Sequence, residues 1–73
     1  MSKYSEIRND FVDETENKVY IDAWVGNCED GTVIAKIDVA TLKVKYLDKD
    51  ARTDAYAQEV IKETINLLKN GLY

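Results

Sequence analysis

From Lys18 to Val25 apolar and polar positions alternate with the two-residue period of a β-strand. Val19, Ile21, Ala23 and Val25 share one face, and Tyr20, Asp22 and Trp24 share the other. The alternation resumes from Thr32 to Val39, with Val33, Ala35, Ile37 and Val39 on one face against Thr32, Ile34, Lys36 and Asp38. From Leu42 to Leu47, Val44 and Tyr46 alternate with Lys43 and Lys45. Ahead of these, Glu6 to Val12 is compatible with a strand carrying Ile7, Asn9 and Phe11 on one face, and the start at Tyr4 fits a short helical turn equally well. Polar runs separate the segments: Asp13 to Asn17, Gly26 to Gly31, and the Ala40-Thr41 pair. Asp30-Gly31 can adopt the positive backbone angles that tight hairpins need.

The period changes at Thr53. Thr53 or Asp54 can cap a helix by accepting a hydrogen bond from a free backbone N–H, and the acid also suits the positive end of the helix dipole. Ala57, Val60, Ile61, Thr64, Ile65 and Leu68 then recur at helical spacing, with Lys69 near the end and Gly71 beyond it. The pattern predicts a helix over 54–70 and an α+β fold: a four-stranded antiparallel β-meander with one C-terminal α-helix packed on one face (ββββα). No Pro, linker or repeat divides the chain, so residues 1–73 are expected to form a single domain.

The helix covers one face only. Laid against Val19, Ile21, Ala23, Val33, Ala35, Ile37, Val39 and Val44, it leaves Val12, Tyr20, Trp24, Ile34 and Leu47 on the other face, among Asp22, Lys36, Asp38, Lys43 and Lys45. Aromatic and aliphatic side chains grouped in this way mark an interaction face.

Charge adds a second candidate. Net charge is −4. Residues 1–30 hold eight acids against three bases, and residues 31–73 hold six against seven, so the acidic excess belongs to the first half. No basic stripe is available for phosphate neutralisation, which argues against direct nucleic-acid binding. Asp10, Asp13, Glu14 and Glu16 are instead placed to steer the chain toward a basic partner.

Composition restricts the chemistry. With no His and a single Cys, Ser-His and Cys-His nucleophile pairs cannot be built within this chain. Cys28 sits beside Glu29 and Asp30, which disfavour the thiolate, and it cannot form an intramolecular disulfide. Asp48 to Glu59 partly mimics a calcium loop, but Arg52 and Thr53 stand where a ligand and the turn glycine belong. No phosphate-cradling Gly-rich loop occurs, so neither a metal nor a cofactor is expected. The N-terminus lacks a signal-peptide run and no apolar stretch is long enough to span a bilayer, so a cytoplasmic protein without a membrane partner is expected.

Together these features describe a small non-catalytic binding or assembly protein. One version self-associates as a homodimer through the aromatic face. A second is a monomeric acidic protein that docks on, or inhibits, a basic or nucleic-acid-handling partner protein. A third places a small-molecule site at a subunit boundary, using residues such as Tyr20, Asp22 and Asp38.

Overall fold

The computed structural model describes residues 4–26 and 30–71. Four antiparallel strands, β1 (Arg8–Thr15), β2 (Lys18–Val25), β3 (Thr32–Asp38) and β4 (Val44–Tyr46), lie side by side in chain order. A short 3-10 turn (Lys49–Arg52) then leads into helix α1 (Ala55–Lys69), which packs against the sheet. The expected ββββα architecture is therefore present. Asp54 caps the helix, its carboxylate accepting from the Ala57 N–H at 2.9 Å.

The buried stripe of α1, Ala57, Val60, Ile61 and Thr64, meets a sheet face carrying Ala23, Ala35 and Ile37. Tyr4 and Ile7 join this core from the N-terminal side. They are tied down by hydrogen bonds from the Tyr4 hydroxyl to Asp48 (2.8 Å) and from the Ile7 N–H to the Tyr56 hydroxyl (3.0 Å). Asn9 donates to the Thr64 hydroxyl, which in turn donates to the Val60 carbonyl, so the one fully buried polar residue of α1 is satisfied.

The structure corrects the expected strand boundaries in two places. β1 runs to Thr15, and only Glu16 and Asn17 form the turn, at φ of 49° and 70°. Two positive angles in a two-residue hairpin match the natural twist of the strands, so a turn that read as five polar residues is as short as a hairpin allows. Leu42 stands outside β4 at φ 63°. Asp38 dictates that bend: its carboxylate accepts from the backbone N–H groups of Ala40 and Thr41, while its carbonyl accepts from Leu42.

Two bulges flank β2 at the same level. On one side, Ala23 pairs with Ala35 and Trp24 with Val33, leaving Ile34 as the extra residue. On the other, Arg8 pairs with Trp24 and Phe11 with Asp22, so Asn9 and Asp10 together oppose Ala23. Each bulge shifts the alternation by one position. Ile34 consequently enters the core at 1% exposure, and Val33, expected beneath the helix, pairs with Trp24 on the opposite side.

Candidate functional site

Residues directly opposite one another on paired strands share a face, so the register gives the composition of the sheet face away from α1. Arg8, Trp24 and Val33 form its first cross-strand row, Phe11, Asp22, Lys36 and Lys45 the second, and Asp13, Tyr20 and Asp38 the third. Of the five residues expected to make an interaction face, Tyr20 and Trp24 lie here. Ile34 does not, because its bulge turns it into the core. Val12 does not either: it pairs with Ile21, on the helix side, beyond the bulge of β1. Leu47 is 48% exposed just past β4, at the far margin from β1. Phe11, expected on the face with Ile7, is carried outward by the same bulge and is 54% exposed.

The Tyr20 and Trp24 rings are already partnered within the chain. The Arg8 guanidinium lies 5.2 Å from the centre of the Trp24 ring, and the Trp24 indole N–H donates to Asp10 at 3.0 Å. The Lys36 ammonium lies 5.7 Å from the Tyr20 ring centre. Lys36 also donates to Asp13, and to Asp22 at 3.1 Å. Asp22 is 2% exposed although it belongs to the face that α1 leaves uncovered. Its neighbours across the strands are Phe11 and Lys36, and along its own strand Tyr20 and Trp24. An ion pair bridged by one lysine thus occupies the middle of the second face. It was not read from the sequence, where the signal was an Asp between two aromatics on a strand, opposite a Lys.

Charge on this face follows from those contacts. The hydrogen bond from Lys36 holds the Asp13 carboxyl below its ordinary range. Partial burial pulls the Lys36 ammonium down, but its bonds to Asp13 and Asp22 outweigh that and raise it. Asp38 is lowered by the backbone N–H groups of Thr41 and Ala40. Of the four expected steering acids, Asp10 and Asp13 are therefore committed to Trp24 and Lys36, whereas Glu14 and Glu16 are exposed and carry no ion pair among the described residues. A shallow depression lined by Tyr20, Lys18, Lys36, Lys45, Asp13 and Glu16 opens to solvent beside them.

Among the described residues no group of three His, Cys, Asp or Glu side chains is arranged to hold a metal ion, and no helix is long and apolar enough to cross a membrane. Cys28 lies outside the described residues. Comparison with protein-family models, curated proteins and solved structures finds no match to this chain. Its fold is that of an α+β protein with one antiparallel sheet and one covering helix.

Lys36→Met should destabilise the fold by about 3 kcal/mol, because it strands the Asp22 carboxylate away from water. Adding Asp22→Leu should recover most of that loss, since the cost lies in the unpaired charge. Urea unfolding of the two single variants and the double variant measures it. The titration has a definite sign. Asp13 and Asp38 have depressed values in the fold, so their contribution is present above the unfolded carboxyl value of about 4 and is lost as pH falls through the folded values. Lys36 is raised, so its contribution is present below the unfolded lysine value of about 10.4 and is lost as pH rises through the folded value. The urea midpoint should stay level between about pH 5 and 9 and drop below about pH 4. In Asp13→Asn the acid-side drop should shrink without vanishing, because Asp38 still titrates.

Proposed function

We propose that the chain is a small non-catalytic binding protein that docks, as a monomer, on a basic partner protein through the β1 margin of its sheet. The observation that carries this reading is a coincidence on β1 and the turn that follows it. Phe11 and Val12, 54% and 48% exposed, sit beside Glu14 and Glu16, two acids with no ion-pair partner among the described residues. Exposed apolar side chains next to uncommitted charge supply both contact area and steering.

Self-association through the Tyr20 and Trp24 face draws less support. Arg8 and Lys36 already stack on those rings, Ile34 is interior, and the exposed apolar residues Phe11 and Leu47 lie at opposite margins of the sheet. A shared small-molecule site built on Asp22 and Asp38 draws less still, because Asp22 is bonded to Lys36 and Asp38 to its own turn.

The test compares two baits, the native chain and Glu14→Gln with Glu16→Gln, in lysate from the source cells at about 0.05 M and about 0.5 M salt. Proteins retained by the native bait at low salt should be basic, and should be lost both at high salt and from the neutralised bait. Retention of the same proteins by both baits, independent of salt, would contradict the proposal.

A further inference from the structure

β1 is an outermost strand of eight residues, and its outer side is not bonded to any other described backbone. The pairing shows which groups point that way. The Val39 N–H donates to the Val19 carbonyl, so the backbone groups of Val19 and Ile21 turn toward β3. Those of Tyr20 and Asp22 consequently turn toward β1, where they meet Asp13 and Phe11. Alternation then leaves the N–H and C=O of Val12 and Glu14 directed out of the sheet.

We infer that a basic, extended segment of the partner adds to the outer edge of β1 as a fifth strand, hydrogen-bonded to the backbone of Val12 and Glu14. The inference rests on the acidic docking reading and gives it a geometry. Strand addition supplies affinity through the main chain and selectivity through alternate side chains. Here the flanking positions ask for apolar residues opposite Phe11 and Val12 and for a cation opposite Glu14, with further cations suited to the places beside Asp10 and Asp13, whose carboxylates already accept from Trp24 and Lys36.

A second copy of this chain fits poorly in the same place. In a two-fold antiparallel pairing, Val12 and Glu14 can bond across the axis in three registers. One sets Asp10 against Glu14, the next sets Asp13 against itself, and the third sets Glu14 against itself. Like charges directly opposite are destabilising, so the acids that protect this edge from self-pairing leave it open to a basic strand. The other margin of the sheet is less suited: β4 has three residues, carries Lys45, and leads through Leu47 and Asp48 into the 3-10 turn.

The test titrates the ¹⁵N-labelled chain with the acetylated, amidated peptide Thr-Lys-Arg-Val-Ile-Lys, and with a control in which Glu replaces each cation. Saturable shifts should centre on the amides of Val12 and Glu14, with hydrogen exchange there slowed, and the control should not bind. Val12→Pro removes an outward N–H without breaking a bond to β2, and should weaken binding roughly tenfold or more. If that variant unfolds, a synthetic chain N-methylated at Glu14 removes the neighbouring donor and should show the same loss. Binding of the basic peptide that maps to the Tyr20 and Lys36 side, or that survives both backbone changes, overturns strand addition and leaves acidic docking standing. No binding, or equal binding of the acidic control, overturns both.

Discussion

A single helix can shield one side of a four-stranded sheet, so this fold depends on how its second side is closed. Lys36 closes it. Standing opposite Asp22, it reaches Asp22 and Asp13 with one ammonium and lies over the Tyr20 ring, while Arg8 does the same for Trp24 one row away. The carboxylate of Asp22 is buried by this arrangement, which is tolerable only because its charge is matched. Lys45 lies directly across from Lys36 and would oppose it but for the two carboxylates on the other side.

That closure bears on function by elimination and by placement. Rings already held by cations offer little new apolar area to a partner, and of the large apolar side chains left exposed, Phe11, Val12 and Leu47 lie at the margins of the sheet while Val19 lies on β2. The same strand that lends Asp13 to the inner network carries Phe11, Val12, Glu14 and the turn acid Glu16 at its accessible edge. Fold and proposed contact are thus coupled through β1, one side of which is spent on β2 and the other unbonded to backbone among the described residues.

Much of this was legible in the sequence, and where it was not the reason is physical. The long alternation of β2 and the helical stripe from Ala57 to Leu68 determined the element order and the packing of α1, because period alone decides which side chains must be buried. The bulges at Ile34 and at Asn9-Asp10 carry no compositional mark. Each shifted the phase by one, exchanging Ile34 with Val33 and Phe11 with Val12 between the two faces. That one-residue shift is why the expected interaction face retained Tyr20 and Trp24 but lost Ile34 and Val12. The positive φ of Glu16 and Leu42 was hidden for a related reason: neither residue type favours that conformation, and the pairing on either side imposes it.

With Tyr20, Trp24 and Asp22 partnered from within, the second sheet face is proposed to need no second copy to cover it. Light scattering over a hundredfold range of concentration tests that most directly. A mass of 8.3 kDa throughout is the predicted result. A mass that climbs to twice that value with concentration, and falls back in Trp24→Glu, would show the aromatic face buried between copies and contradict the account.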